Sequence, residues 1–496
     1  MKTYRNLPIY VMLLVASLFL GACSEDFLEE TPTESVSFDE AVATTANLFT
    51  IINGMHRSLY IRYGSQGRTG VGALLLQNEV LGEDFVMTSR ANGWFINAYR
   101  WNDHTNAADG DNLFPYRTYY RIIRNANIVI NNADNALGPQ EEKDAVVGQA
   151  LIYRAWAHFQ LVQLYGIRYQ NGMTNSQLGV PIVLNTELEP LPRSTVEEVY
   201  MQVNLDLDAA IQILEGYSRP NKSHLDQSIA QGLKARVALV QGNYTIAAIF
   251  AEAAREGYSL MSFDDYFNSF NDYESEEWMW GSHIVEDQSD TFGNFGAFIS
   301  RNFSSSNIRG NPKAINSNLY NTIPDTDVRK SLFDPTGDHA ILPPGIEISS
   351  RHNRRPYTSQ KFIAAGTGDS RMDVPYMRVS EMYLIEAEAK ARLGDATAAD
   401  VLLVYGIVRD PEYTRSTNSG EDLINEILLQ RRWELWGEGF RFYDLKRTNA
   451  PLNRNESNHT TNLAVVFDIP AGDNRWQWLI PQRALDANPL LKQNPL

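Results

Sequence analysis

The residues best suited to hold a ligand lie in the stretch 83–102, which has neither helical nor strand periodicity. Aromatic rings occur there beside carboxylate, amide and guanidinium groups: Asp84, Arg90, Asn92, Trp94, Phe95, Tyr99, Trp101 and Asn102. Flat rings stack on the apolar faces of sugars, while polar neighbours hydrogen-bond the hydroxyl groups. The 24 Tyr, 21 Phe and 9 Trp of the chain suit a neutral polyhydroxylated ligand. They suit an ordinary core with polar loops equally well. Composition alone therefore does not distinguish a ligand-binding surface from a core.

A second aromatic group lies in a segment rich in Gly and Asn. Phe292, Phe295 and Phe298 follow one another at three-residue steps, with Asn294 and Arg301 nearby. Three phenylalanines exposed in one patch would be typical of an interaction site. The sequence leaves two interpretations open: the rings bind a ligand, or they plug this segment onto the rest of the protein.

Catalysis and metal binding are poorly supported. Glycoside hydrolysis needs two carboxyl groups about 5–9.5 Å apart. The acidic pairs here are adjacent in sequence, as in Glu83-Asp84, Asp264-Asp265 and Glu276-Glu277, and neighbouring side chains on a strand point to opposite faces. No pair among the eight histidines has HExxH spacing. The stretch 109–112 (Asp-Gly-Asp-Asn) lacks the spacing and closing Glu of an EF-hand and favours a solvated turn. We therefore predict no catalytic residues and no metal site.

The N-terminus has the features of an export signal. Lys2 and Arg5 precede an apolar run over residues 9–20, and small residues then lead to Cys23, the only cysteine. The run is too short to cross a hydrocarbon core of about 30 Å. Leu20-Gly21-Ala22-Cys23 looks like a bacterial lipobox, which implies cleavage before Cys23 and lipid attached to it. The alternative is an ordinary secretory signal with a chance cysteine.

Charge narrows the choice of partners. The formal net charge is −17, and removal of Lys2 and Arg5 makes it two units more negative. Such a surface repels phosphate backbones, so nucleic acid is a poor partner. Anionic polysaccharide is disfavoured as well, unless a local basic patch such as Arg351, Arg354 and Arg355 overrides the net field.

Most of the chain is predicted to be helical. Apolar residues recur at three- and four-residue steps over 46–60, 116–133 and 145–165, and the last of these runs stops at Gly166. A further helix is expected to start at a capping box of Ser194 with Glu197. The pattern Ala235-x6-Gly242-Asn243-Tyr244-x2-Ala247 returns as Ala387-x6-Gly394-Asp395-Ala396-x2-Ala399. Both copies indicate helical hairpins of the tetratricopeptide kind, although two unrelated hairpins would look similar.

Between the two copies the composition changes. A short strand is predicted at Glu277-Trp278-Met279-Trp280, and the following residues up to 373 are rich in Gly, Pro and Asn. Function concentrates in such loops. The predicted organisation is therefore a signal peptide (1–22), a lipidated acidic spacer (23–38), a helical-repeat body (39–260) with a loop region at 64–114, a variable insertion (261–373), and a last helical pair with a closing segment (374–496).

Several motifs together resemble one family. In chain order they are Cys23-x3-Phe27-Leu28-x3-Pro32, Tyr120-x2-Ile123-x2-Ala126-Asn127, Ala150-x3-Arg154-Ala155, Pro192-Arg193-Ser194-Thr195, Arg378-x-Ser380-Glu381, Arg431-Arg432-Trp433-Glu434-Leu435-x2-Glu438-Gly439-x-Arg441-x2-Asp444, and Asn488-Pro489. This series resembles the SusD/RagB family, the surface glycan-binding lipoproteins of Bacteroidetes. The block 431–447 is the most specific part, and its charges at helix-neighbour spacing predict an internal lattice of ion pairs.

The resemblance implies a mainly α fold: a superhelix of four tetratricopeptide-like helix pairs, with a loop-rich insertion containing short strands. It implies a lipid-anchored outer-membrane protein that captures oligo- or polysaccharide for a SusC-like TonB-dependent transporter, without catalysis or cofactor. Carried over to this chain, the ligand site includes Trp94 or Trp101, Asn102 and Arg90. A peptide or glycopeptide receptor on the same scaffold is the main alternative, and a glycoside hydrolase is a weaker one.

Overall fold

The computed structural model describes residues 37–187, 189–268, 270–288 and 290–496. The predicted signal peptide, Cys23 and nearly all of the acidic spacer lie outside these residues. The N-terminal part contains α1 (Phe38–Ala41), α2 (Thr45–Ser58), α3 (Gly70–Glu79), β1 (Phe85–Met87) and α4 (Ile96–Tyr99). Helix α1 starts at a capping box formed by Ser37 and Glu40.

The long helices of the array follow: α5 (Gly110–Asn132), α6 (Gln140–Tyr165), α7 (Val196–Ile213), α8 (Gln227–Gln241) and α9 (Tyr244–Ala254). Helix α5 begins six residues earlier than the apolar period suggests, because the Asp109 carboxylate accepts the Asp111 N–H and caps the first turn. Helix α6 ends before Gly166, as predicted. A 3-10 turn, Ala133–Asn135, links α5 to the next connection.

The predicted capping box of α7 is wrong by one residue. Thr195, not Ser194, caps the helix, and the Glu198 carboxylate accepts the Thr195 N–H in return. Ser194 with Glu197 and Thr195 with Glu198 both fit the sequence pattern of a capping box. The backbone of Ser194 instead pairs with residues 179–180: its N–H donates to the carbonyl of Val180, and its carbonyl accepts the N–H of Gly179.

The insertion is built from short elements. They are α10 (Phe263–Asn268), β2 (Trp278–Ser282), the 3-10 turn Glu286–Gln288, α11 (Phe295–Ile299), α12 (Ser306–Gly310), β3 (Lys313–Ile315), α13 (Ser317–Tyr320), α14 (Val328–Ser331), β4 (Phe333–Asp334) and β5 (Thr358–Ser359). Strand β2 confirms the strand predicted around Trp278 and Trp280, and both rings are fully buried.

The C-terminal part returns to helices. It contains β6 (Val374–Arg378), α15 (Val379–Arg392), α16 (Ala398–Gly406), α17 (Gly420–Glu434), α18 (Arg441–Thr448), β7 (Leu452–Asn453), β8 (Asp468–Ile469), the 3-10 turn Asn474–Trp476 and α19 (Gln482–Ala487). Helix α15 packs against α9, α16 and α17, so the last helices extend the array begun by α5.

The two copies of the internal pattern are both helical hairpins. Gly242 lies between α8 and α9 with φ of 71°, and Gly394 lies between α15 and α16 with φ of 73°. This left-handed conformation costs a side-chain-bearing residue about 1–2 kcal/mol, which explains glycine at both corners. The mainly α prediction is confirmed.

Small sheets tie the insertion to the helical body. Strands β1, β3, β5 and β4 form one antiparallel sheet in that order, with Phe85 opposite Ile315. Strand β2 pairs with β6, and β7 pairs with β8. One apolar cluster extends from Leu48 to Ile480 and includes rings of the insertion such as Phe362. Among the described residues, no helix combines the length and apolar character needed to span a bilayer.

Candidate functional site

The stretch 83–102 starts at a buried ion pair. The Asp84 side chain is 2% exposed, and its carboxylate lies 2.6 Å from an Nη of Arg432 and 3.4 Å from Nε of Arg441. Burial would raise the pKa of Asp84, but the two guanidinium groups outweigh burial and hold the pKa below its ordinary value. The prediction of Asp84 as a ligand-binding residue is corrected: its carboxylate is used to join the loop to α17 and α18.

Tyr99 and Trp101 also belong to the core. Trp101 is 2% exposed, donates its indole N–H to the carbonyl of Leu81 at 3.0 Å, and meets the Trp476 ring edge-on at 4.9 Å. Tyr99 is fully buried under the guanidinium of Arg454. Neither ring can stack on a ligand in this structure, so both site predictions are corrected. A loop without periodicity carries no signal of which rings face inward.

Trp94 lies at the surface end of the same loop and is partly exposed. Its ring meets Phe298 edge-on, with centroids 5.4 Å apart, and its backbone N–H donates to the Asn92 side chain. The loop also turns sharply, since Ala91 and Phe95 both have positive φ angles of 40° and 60°. Strained backbone of this kind persists only where the surroundings hold it. Trp94 is therefore presented by a braced loop.

The three phenylalanines of the insertion divide into two groups. Phe295 and Phe298 are buried, and Phe295 packs edge-on against Phe362 at 5.4 Å. These two rings plug the insertion onto the body, so their prediction as ligand contacts is corrected. Phe292 differs, because 54% of it is exposed. Its ring rests on Phe303 with centroids 6.1 Å apart.

The structure brings Trp94 and Phe292 to the same loop. A Cβ at Gly67 would lie 3.3 Å from the Trp94 ring, and a Cβ at Gly293 would lie 3.1 Å from the carbonyl oxygen of Gln66. Trp94 and Gly293, which follows Phe292, thus both lie against the Gln66-Gly67 segment. Arg62 of the same loop forms a 2.8 Å ion pair with Asp290. We call Trp94, Phe292 and the loop residues 66–67 between them the aromatic face.

The remaining predicted site residues, Arg90 and Asn102, are both exposed. The carbonyl of Arg90 accepts the Gly93 N–H at 2.8 Å, which places Arg90 one turn from Trp94. Asn102 lies beyond α4 and donates its backbone N–H to Asn97. Among the described residues, no contact joins Asn102 to Trp94, so the structure does not bring this pair together.

Several of the acidic residues considered for catalysis are held in buried ion pairs. Glu434 accepts from Arg378 at 2.8 Å and Arg409 at 3.1 Å, and Arg409 also binds Glu277 at 2.7 Å. These arginines hold the pKa of Glu434 well below its ordinary value despite complete burial. The predicted lattice is present, but its partners differ: Arg431 binds Asp444 at 2.8 Å rather than Glu434.

One group of three carboxylates in the described chain lies close enough to share a cation: Asp103, Asp109 and Asp111, whose oxygens lie within 4.8 Å of one another. Arg68 already supplies positive charge, with Nε 2.5 Å from Asp111. Burial, followed by the carboxylates of Asp111 and Asp109, raises the pKa of Asp103 to about 8. Asp103 therefore holds a proton over much of the physiological range.

Two family models match different parts of this chain. The family described as "Starch-binding associating with outer membrane" matches residues 26–239, and the family described as "SusD family" matches residues 337–496. The chain belongs to the SusD/RagB family. The SusD-like proteins P25 and P2 of Formosa agariphila are 22% and 24% identical over 99% and 90% of this chain, and 98% and 91% of their own lengths.

Solved structures share the SusD/RagB fold. A structure titled as a SusD-like carbohydrate binding protein from Bacteroides vulgatus has a TM-score of 0.79 at 25% identity, and covers 90% of this chain and 97% of that one. A SusD superfamily protein from Bacteroides thetaiotaomicron has a TM-score of 0.76 at 26% identity, covering 92% and 100% of the two chains. These likenesses agree with the tetratricopeptide-like helical array.

Sequence reasoning missed the loop that completes the aromatic face. Gln66, Gly67 and Asp290 were not among the predicted site residues. A usable signal was present, because 64–70 holds three glycines in seven residues beside an aromatic-rich stretch. Glycines allow the close approach of other side chains, as Trp94 shows at Gly67.

Proposed function

We propose that this protein is a cell-surface lipoprotein that captures oligo- or polysaccharide and delivers it to a SusC-like TonB-dependent transporter. The observation that carries the proposal is the aromatic face, where a half-exposed Phe292 and a braced Trp94 flank one loop. Family membership supports the ligand class, since the matching family description names starch binding at the outer membrane.

Each of the two rings rests on one aromatic neighbour and keeps part of its surface exposed. Phe298 meets Trp94 edge-on, and Trp94 stays partly exposed. Phe292 is held outward because Asp290 is fastened to Arg62 and the Asn294 side chain accepts the Ala297 N–H at 2.8 Å. Rigid rings lose little entropy on binding, and each stacking contact contributes about 0.5–1.5 kcal/mol beyond its buried area.

No chemical step is assigned to the protein. Three of the six carboxylates in the adjacent acidic pairs are committed to ion pairs: Glu83 to Arg441, Asp84 to Arg432, and Glu277 to Arg378 and Arg409. A carboxylate in such a pair cannot act as a general acid at ordinary pH. Release of reducing ends from a polysaccharide by the purified protein would favour the hydrolase alternative.

Delivery to a transporter and attachment through Cys23 rest on the family resemblance. Purification of the tagged protein from outer membranes tests the partnership, because a TonB-dependent transporter should be retained with it. Its consistent absence from such preparations would count against delivery.

Binding is tested with protein from residue 24 onward on an array of oligosaccharides. We expect Trp94→Ala and Phe292→Ala each to weaken binding of the retained glycan by about 2- to 10-fold. Phe38→Ala is a matched control, since Phe38 is also 54% exposed but lies in α1. Calorimetric titration of the three variants gives the comparison.

Two outcomes would contradict this placement. Unchanged affinity in both Trp94→Ala and Phe292→Ala would remove the aromatic face from the site. Binding to a peptide library with no glycan retained on the array would favour the peptide or glycopeptide receptor.

A further inference from the structure

A groove of about 570 Å³ is lined in part by residues 62–64 and 68, on either side of the Gln66-Gly67 segment in the chain. Five arginines line it, Arg62, Arg68, Arg117, Arg121 and Arg483, together with Tyr63. They come from the loop after α2, from α5 and from α19. The volume falls within the range of small-ligand sites.

Three of these arginines have no carboxylate partner among the residues that the structure describes. Arg62 is paired with Asp290 and Arg68 with Asp111. Arg117, Arg121 and Arg483 form no ion pair with any described residue, although the chain has 60 acidic residues for 43 basic ones. Asp109 is the single carboxylate in the lining, and its oxygen caps α5. The groove is therefore cationic on a protein of net charge −17.

This arrangement costs stability without a ligand. Arg117 and Arg121 lie four residues apart on α5, where like charges repel. Arg121 lies over the Tyr63 ring at 4.1 Å, which orients its guanidinium but leaves its charge unpaired. A guanidinium binds a carboxylate or sulfate through paired hydrogen bonds, so such a group would relieve the repulsion.

The groove and the aromatic face share one loop. Arg62, Tyr63, Gly64 and Arg68 line the groove, while Gly67 between them contacts Trp94. The groove and the aromatic face are therefore adjacent along this loop. We infer that the ligand is an anionic oligosaccharide, whose carboxylate or sulfate groups are bound by Arg117, Arg121 and Arg483. This inference rests on the proposed glycan-binding function and replaces the neutral ligand suggested by net charge.

The test uses purified full-length protein in detergent and two pairs of probes with matched backbones. Oligogalacturonide is compared with its fully methyl-esterified form, and sulfated dextran oligosaccharide with dextran oligosaccharide. At low salt we expect the acidic member of at least one pair to bind about tenfold more tightly than its neutral counterpart. The pair that shows the preference identifies carboxylate or sulfate. The preference should shrink as sodium chloride is added.

Arg117→Gln/Arg483→Gln should sharply reduce this preference, because two of the three unpaired guanidinium groups are removed. Both side chains are exposed, so the fold should tolerate the change. Arg124→Gln is the matched control, because Arg124 is exposed on the same helix but does not line the groove. Equal binding of acidic and neutral forms, or an undiminished preference in the double variant, overturns the inference.

The two proposals fail separately. If neutral sugars bind in a Trp94-dependent way and acidic sugars bind no more tightly than neutral ones, the inference of an anionic ligand is wrong. The proposal of glycan capture then stands. If acidic sugars bind through Arg117 and Arg483 but Trp94→Ala has no effect, the groove stands and the aromatic face is wrong. If none of the four probes binds, the anionic-ligand inference is overturned.

Discussion

Trp94 and Trp101 belong to one loop, yet they have opposite roles. Trp101 fills a space between Leu81 and Trp476 and makes a buried hydrogen bond, while Trp94 remains partly open. We expect Trp101→Ala to lower the free energy of unfolding by about 3–5 kcal/mol, because it leaves a cavity and an unpaired carbonyl. Trp94→Ala should lower the free energy of unfolding by a clearly smaller amount. Urea denaturation of both variants measures the difference, and equal stabilities would show that Trp101 is not a core residue.

Asp103 gives a pH-dependent prediction. Its pKa is raised to about 8 by burial and by Asp111 and Asp109. In the unfolded chain the pKa of an aspartate is about 4. The folded state keeps a proton that the unfolded state releases. The contribution of Asp103 to stability is therefore full below about pH 4, falls as pH rises, and is lost above about pH 8.

Asp103→Asn keeps the shape and removes the charge. At pH 8.5 we expect it to melt at a higher temperature than the natural protein, and the gap should narrow as the pH falls toward 5. Asp264→Asn makes the same charge change at an exposed position and should leave the melting temperature nearly unaltered. A gap that is constant with pH would mean that Asp103 titrates normally.

At the scale of elements, buried ion pairs join parts of the chain that are distant in sequence. Arg409, which follows α16, binds Glu277 before β2 and Glu434 at the end of α17, and all three side chains are fully buried. Removing one member of such a cluster leaves buried charge unpaired. Arg409→Met should therefore lower the free energy of unfolding by about 3–5 kcal/mol.

Arg415→Met provides the comparison. Arg415 binds Asp400 at the surface, where the two side chains are 47% and 56% exposed. Exposed pairs of this kind contribute at most about 1 kcal/mol. Chemical denaturation should separate the two variants clearly, and a small effect of Arg409→Met would show that the cluster is not needed for stability.

The elements also show what the sequence can predict. The hairpins at Gly242 and Gly394 were predictable because the corner requires a left-handed glycine between two periodic helices. The cap of α7 was misplaced because Ser194 and Thr195 offer the same local chemistry, and a distant contact with Val180 decides between them. The partners of Glu434 were missed for the same reason, since Arg378 and Arg409 lie outside its helix.

The aromatic face depends on this long-range order as well. Residue types placed Trp94 and Phe292 on a list of candidates, together with four rings and one carboxylate that prove to be buried. Only the fold selects among them, because burial in loops depends on which segments meet. Trp94 stays open where Phe298 supports it from below, whereas Trp101 is covered by Trp476.

At the scale of the whole molecule, the proposed attachment to the outer membrane concerns a protein in which no described helix is long and apolar enough to span a bilayer. Electrostatic attraction is a poor explanation, because a net charge of −17 repels anionic lipid surfaces. An acyl chain contributes about 0.8 kcal/mol per buried CH₂, and two or more chains give stable anchoring. Cys23, the only cysteine, is the residue that can carry them.

We expect Cys23→Ser to move the protein from the membrane fraction to the soluble fraction and to abolish labelling by radioactive palmitate. Ser24→Ala, the neighbouring change that keeps the thiol, should do neither. Washing with concentrated salt should not release the natural protein, because lipid insertion is hydrophobic whereas peripheral charge contacts are screened. Release by salt, or palmitate labelling that survives Cys23→Ser, would show that the protein is held by another contact and that Cys23 is not its anchor.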